Sequence, residues 1–195
     1  RQAPYVRAVA FDLLTEEDKK QAVEDLNALV VKNDYHLNTG FLSTPFLCQV
    51  LAENGHTDTA YRLLLQDTAP SWLYEVKKGA NTIWETWDGI NEKGEPHASL
   101  NHYSYGAICG WLFGGVCGIH LENKHVSIHP YPDASLGYAH ADYISPVGKI
   151  VSAWEYEGDV IHYTFEIPAN VTAEVCLEDG QKVTLEAGKH ELVSK

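Results

Sequence analysis

Tyr105-Gly106-Ala107-Ile108-Cys109-Gly110-Trp111-Leu112-Phe113-Gly114-Gly115-Val116-Cys117-Gly118-Ile119-His120 is where the chain changes its hydrophobic period, and the reading on either side of it decides the fold. Before it, from Ala3 to about Ile119, apolar residues recur with helical spacing; after His120 they recur every second residue. The stretch itself alternates large apolar residues with small ones and reads as a buried helix from about Ser99 to Gly118. Glycine costs about 1 kcal/mol at each interior helix position, so several of them call for close approach of another helix or of a substrate.

Working back toward the start, an amphipathic run enters at Ala3. Thr15-Glu16-Glu17-Asp18 caps the next helix, with Asp18 an imperfect version of the usual Glu, and Ala22, Leu26, Leu29 and Val30 make its apolar face. Ser43-Thr44-Pro45 opens another, since proline has no N–H to leave unpaired in a first turn, and Asn54-Gly55 ends it. His56 or Thr57 precedes a short helix through Ala60, Leu63, Leu64 and Leu65. Ser71 caps one from Trp72 to Val76, stopped at Gly79. Short-looped helices in succession suit an antiparallel bundle or toroid whose loops surround a cleft.

Working forward, Val126–Pro130, Ile150–Tyr156, Val160–Ile167, Val171–Leu177, Val183–Leu185 and His190–Val193 read as strands. Glu157-Gly158-Asp159 and Glu178-Asp179-Gly180-Gln181 are hairpin-sized connections. The expected fold class is therefore α then β, with residues 1–120 helical and residues 121–195 an antiparallel β-sandwich-like domain.

Composition narrows the function. A net charge of −13, from 14 Lys and Arg against 27 acids, argues against nucleic acid as a partner. No run of about 20 apolar residues appears, so membrane insertion is not expected, and the compartment stays open between cytoplasmic and exported. The four cysteines lack metal-ligand spacing. Cys48, Cys109 and Cys117 sit in apolar surroundings and read first as buried free thiols, ahead of a disulfide or a reactive thiol. The histidines are scattered, and no phosphate loop, His-Glu-x-x-His or Gly-x-Ser-x-Gly element is present, so no metal or cofactor is expected. The chain starts abruptly at Arg1 and has no methionine, which points to a fragment or a processed chain.

The chemistry concentrates in Ile83-Trp84-Glu85-Thr86-Trp87-Asp88. An acid between two indoles suits a sugar cleft: rings cover apolar C–H faces, and a carboxylate hydrogen-bonds a hydroxyl or activates water. Glu85 must be solvated or hydrogen-bonded to stay charged there. Trp72 and Tyr74 add aromatic surface, His102 lies near the expected mouth of the cleft, and Thr39 is a weaker candidate in the turn before Ser43. Each has a plainer reading: Trp72 and Trp84 as core, His102 as a satisfied core histidine, Asp88 as part of an Asp88-Gly89 turn.

Five blocks in order, Asn38–Pro45, Ala60–Leu64, Pro70–Tyr74, Gly79–Gly89 and Ser99–Ala107, resemble the bacterial α-L-rhamnosidases of glycoside hydrolase family seventy-eight. Val126–Pro130 and Ile144–Ile150 are similar to the C-terminal domain of those enzymes. The resemblance implies part of an (α/α)₆ catalytic barrel over residues 1–120, a C-terminal β-domain over 121–195, and inverting hydrolysis of terminal α-L-rhamnosides. It implies Glu85 as the general base that activates water and His102 as a rhamnose contact, with Trp84 and Trp72 beside substrate-binding positions. The family's general acid comes from an upstream acidic segment that this sequence does not contain. A whole barrel also needs more helices than residues 3–119 supply. The expectation is thus a C-terminal portion, inactive alone and prone to self-association through uncovered helix faces. A carbohydrate-binding or structural module that uses the same residues without bond cleavage is the alternative.

Overall fold

The computed structural model describes residues 1–195 as two compact units, Arg1–Trp111 and Leu112–Lys195. In the first, α1 (Ala3–Ala10) starts with Pro4 in its opening turn. Helix α2 (Glu16–Lys32) is capped by Thr15, whose hydroxyl accepts from the Asp18 N–H at 3.2 Å. The box is imperfect in a specific way: the Asp18 carboxylate takes a bond from the same Thr15 hydroxyl at 2.8 Å instead of reaching back to the Thr15 amide. Helices α3 (Thr44–Glu53), α4 (Thr57–Leu64) and α5 (Trp72–Lys77) follow.

Leu26, Leu47, Leu51 and Leu63 are fully buried at the centre of this unit, each stabilising it by about 1.5–3 kcal/mol relative to exposure. The core is pinned by polar ties at its edges. Buried Gln2 donates to the His36 carbonyl at 3.0 Å and accepts from the Asn38 N–H at 2.7 Å, which holds the chain start against the loop before α3. Thr59 donates to Asn27 at 2.8 Å, joining α4 to α2.

The single helix expected from Ser99 to Gly118 does not form. Residues 99–103 are irregular, a 3₁₀ turn spans Ser104–Ala107, α6 is only Ile108–Trp111, and a π-helical turn covers Leu112–Val116. The glycines explain why: each interior one weakens the α form by about 1 kcal/mol, and nothing compensates at Gly110, around which there is open space. Close approach is confirmed elsewhere and for other neighbours. A Cβ on Gly106 would meet Ile83 at 3.3 Å, and one on Gly118, at φ +70°, would lie 2.1 Å from the His129 backbone.

The second unit holds eight strands: β1 (Ile119–Glu122), β2 (His125–Ile128), β3 (Tyr138–Ser145), β4 (Gly148–Glu157), β5 (Val160–Ile167), β6 (Ala173–Cys176), β7 (Lys182–Leu185) and β8 (Gly188–Ser194). They form two four-stranded sheets, ordered β1-β2-β6-β7 and β3-β4-β5-β8. The second sheet is antiparallel throughout. The first departs from expectation, because β2 and β6 run parallel, with Val126, Ser127 and Ile128 opposite Ala173, Glu174 and Val175. Strand β5 shows the governing period most clearly: Ile161, Tyr163, Phe165 and Ile167 are buried, while His162 and Thr164 face out. Buried polar groups are matched. Ser152 donates to the Cys117 carbonyl at 2.6 Å, and the Trp154 indole donates to the Val116 carbonyl at 2.7 Å.

All four cysteines are free thiols. Cys48 and Cys117 are buried as expected, and burial pushes them up to about 12 and about 11. Cys109 is exposed, contrary to the sequence reading, because the short α6 turns that position outward. No helix is long and apolar enough to cross a membrane.

Candidate carbohydrate site

The segment from Ala80 to Tyr103 contains no helix, and its order comes from a ribbon of hydrogen bonds between two irregular stretches. Thr82 donates from its hydroxyl to the Leu100 carbonyl at 2.5 Å, the His102 amide donates to the Ile83 carbonyl at 2.7 Å, and the Glu85 amide donates to the Ser99 carbonyl at 2.9 Å. Helix α5 holds the ribbon from behind. Its Ser71 cap accepts from the Tyr74 amide, Tyr74 donates to the Ile90 carbonyl at 2.9 Å, and Glu75 accepts from the Trp84 amide at 3.2 Å.

This arrangement brings Glu85 and His102 onto adjacent stretches of one ribbon. Glu85 is half-buried, and its Oε2 accepts from the Ser99 N–H at 3.0 Å. That bond fixes one oxygen of the carboxylate and leaves Oε1 outside it. The half-buried His102 ring stacks with Phe41, 4.8 Å away and 15° from parallel, and with Tyr103, 5.4 Å away and 6° from parallel. Its Nδ1 accepts from the Ser104 amide at 3.4 Å, an arrangement that favours the tautomer with the proton on Nε2.

The aromatic surface differs from the one the sequence singles out. Trp84 is 2 % exposed, and its six-membered ring lies 3.0 Å from where a Gly89 Cβ would be, so Gly89 is small because the indole packs beneath it. Trp72 is also buried and donates from Nε1 to the Tyr105 carbonyl at 3.0 Å. The more open indole is Trp87, stacked on Tyr105 at 3.7 Å and edge-on to Trp72 at 5.4 Å. Phe41 completes the wall, 5.0 Å from Tyr105. Thr39 is buried and shares a 2.8 Å hydrogen bond with Thr44 at the start of α3. Asp88 is exposed and lies 3.4 Å from His97 beside the turn that the Gly89 amide closes on the Thr86 carbonyl.

Two residues escape the sequence reading. Phe41 is hidden in a stretch that reads as a turn. Glu75 passes unremarked within the Trp72–Val76 helical run, yet it is 2 % exposed, and burial pushes its carboxyl up to about 7 against the opposing pull of the Trp84 N–H. The signal available was its spacing: three residues after Trp72, it shares that residue's inward face. Burial first, and then the Glu75 charge, raise the Tyr105 phenol in turn. No group of three or more His, Cys, Asp or Glu side chains is arranged to hold a metal ion.

Comparison with known proteins adds independent findings. The profile of the bacterial alpha-L-rhamnosidase 6 hairpin glycosidase domain matches residues 1–116, and that of the bacterial alpha-L-rhamnosidase C-terminal domain matches residues 123–191. An alpha-L-rhamnosidase of Formosa agariphila is 42 % identical over 181 residues, covering 89 % of this chain and 20 % of that protein. One of Streptomyces avermitilis is 39 % identical over 181 residues, covering 89 % of this chain and 18 % of its own length. Among solved structures, the Streptomyces avermitilis alpha-L-rhamnosidase complexed with L-rhamnose superposes on all of this chain and 21 % of its own, with a TM-score of 0.93 and 34 % identity. The alpha-L-rhamnosidase of Aspergillus terreus does so with a TM-score of 0.95 and 30 % identity, over 24 % of its length. This chain thus spans only about a fifth of the relatives it matches.

Proposed function

The chain belongs to the bacterial α-L-rhamnosidase family, and from that premise we propose that it is a C-terminal portion of an inverting glycoside hydrolase that cleaves terminal α-L-rhamnosides. Residues 1–120 contribute part of an (α/α)₆ catalytic barrel and residues 121–195 its C-terminal β-domain. The observation that carries the reading is the Glu85 carboxylate, fixed on one oxygen by the Ser99 amide and open on the other, on the ribbon that also carries His102.

Glu85 accepts a proton from a water molecule as that water attacks the anomeric carbon. His102 donates from Nε2 to a rhamnose hydroxyl, and Phe41 and Trp87 offer ring faces to the apolar side of the deoxysugar. Trp72 and Trp84 act from beneath, as buried supports of the ring wall and the Glu85 turn. Inversion needs a second carboxyl about 6.5–9.5 Å from the base to protonate the leaving oxygen. On the family resemblance that acid lies outside residues 1–195, so this portion does not turn over alone. The exposed apolar residues Phe11, Leu13, Leu42 and Val76 supply surface for self-association of the isolated chain.

The test is rhamnose release from an aryl α-L-rhamnoside by residues 1–195 and by a longer gene product containing them, each with and without Glu85→Gln. Activity confined to the longer product and lost on substitution is expected. A longer product that ignores the substitution refutes the base assignment. A short chain that binds rhamnose while no longer product cleaves it points to a binding module.

A further inference from the structure

Glu75 is a buried acid that the reaction as written does not use, and its surroundings are unusual. It is 2 % exposed, its Oε1 has no hydrogen-bond partner, and the nearby aromatic wall holds a second unpartnered buried polar atom, the Trp87 Nε1. Its other oxygen accepts from the amide of Trp84, the residue immediately before Glu85. Buried polar groups are ordinarily paired, and a lone buried carboxyl is retained at a cost in stability unless it serves something else.

We propose that Glu75 is a positioning residue for Glu85: its carboxyl, set in α5 behind the aromatic wall, holds the Ile83–Trp84 peptide, one residue ahead of Glu85, in place on the ribbon so that the catalytic carboxylate keeps its orientation toward water. The proposal rests on Glu85 being the base. The mechanical reason is plain. The Glu85 turn has no regular structure, and the ribbon bonds tie it to the facing stretch, through Ser99, Leu100 and His102. The Glu75 bond is its tie to α5. A displacement of about 1 Å at a catalytic group can lower turnover on the order of 100-fold.

The arrangement makes positioning depend on protonation. The titratable group facing Glu75 from the 3₁₀ turn is Tyr105, and the neighbouring acid on the ribbon is Glu85 itself. Neither lysine of the α5 end neutralises Glu75, because Lys77 pairs with Asp67 and Lys78 lies 5.4 Å over the Tyr74 ring. Below about 7 the carboxyl is uncharged and rests quietly in its apolar seat; above it, an unpaired charge forms behind the base. The Trp84 N–H bond itself favours the charged form, but Oε1 then carries charge with no partner, and the drive to solvate it pulls the carboxylate from its seat; activity falls on the alkaline side for a reason separate from Glu85 and from the general acid.

The experiment compares wild type, E75Q, E75A and E85Q in the rhamnose-releasing polypeptide that contains residues 1–195, with infrared titration of residues 1–195 alongside. Glutamine keeps the acceptor for the Trp84 amide and cannot ionise. E75Q is expected to keep kcat near the acidic optimum within about threefold while its alkaline limb moves up by about one pH unit or more. E75A is expected to lose kcat roughly 10- to 100-fold with KM little changed. The infrared carbonyl band of a protonated carboxylic acid, titrating near pH 7 in the wild-type chain, is expected to vanish in E75Q. An E75Q enzyme with the wild-type pH profile, beside an inactive E85Q, overturns the Glu75 proposal alone. An active E85Q overturns the reading of Glu85 on which it rests.

Discussion

Strand β5 and the ribbon from Ala80 to Tyr103 hold their side chains by opposite means. In β5 every residue from Ile161 to Glu166 is fixed twice, by ladders to β4 and β8 and by alternation of buried and outward positions. In the ribbon, Glu85 and His102 are fixed by a handful of amide bonds, by stacked rings and by one buried acid beneath. Redundant holding gives stability and leaves nothing free to react. Sparse holding leaves a carboxylate oxygen open, so the ribbon can do chemistry and its energetics are exposed to single changes. Substitutions in the strand should therefore act on stability alone, and those in the ribbon on turnover alone.

The largest effect on the strand side is expected from Phe165→Ala. Phe165 is fully buried and stacks 5.9 Å from Tyr163, so truncation should cost about 3–5 kcal/mol in denaturant unfolding of the second unit. On the ribbon side, Glu85→Gln should lower kcat of the rhamnose-releasing polypeptide by about 10²–10⁴-fold, since that is what a positioned base contributes. Its unfolding midpoint should stay put. A Glu85→Gln protein that instead unfolds early would mean that the ribbon is held as the strands are, and the contrast would fail.

The next effect is a pH dependence confined to the helical unit. Glu75 binds its proton more tightly folded, at about 7, than unfolded, at the ordinary 4.5. The Glu75 contribution to stability is therefore greatest below about 4.5, falls as pH rises through the window to about 7, and is flat above it. The loss should be on the order of 3 kcal/mol at most. Glu75→Gln should remove the slope, measured by unfolding at fixed temperature from pH 4 to 8, and a slope that persists would place its source elsewhere. The smallest effect is expected at the α2 cap: Thr15→Ala removes the acceptor for the Asp18 amide and should cost about 0.5–2 kcal/mol.

The same contrast decides what is legible in the sequence alone. Elements with a strong period and a clean boundary were legible: α2 from its Thr15 cap, α5 from Ser71, β5 from its alternation. Strand β3 was not, because its half-buried and buried positions include the small residues Ala139 and Ala141 while Tyr138, His140, Asp142 and Ile144 point outward, which leaves no apolar alternation to see. The run from Ser104 to Val116 carried a helical period, but its glycines divided it among 3₁₀, α and π turns. The parallel pairing of β2 with β6 depends on contacts between residues far apart in sequence, which no local pattern encodes. In the site, Glu85 and His102 stood out because an acid among indoles and a histidine among phenols are unusual neighbours. Trp84 stood out equally and proved to be packing beneath the turn. Glu75 does not stand out, because the neighbours that make it unusual, Trp84 and Tyr105, come from other parts of the chain.

The most direct test of Glu85 as the base is chemical rescue of Glu85→Ala in the rhamnose-releasing polypeptide, with azide and an aryl α-L-rhamnoside. Azide needs no base to activate it, so the account predicts that activity lost with the carboxylate returns as azide is added, with a β-configured rhamnosyl azide as product. An enzyme that stays active without the carboxylate, or a product that retains the α configuration, would contradict it.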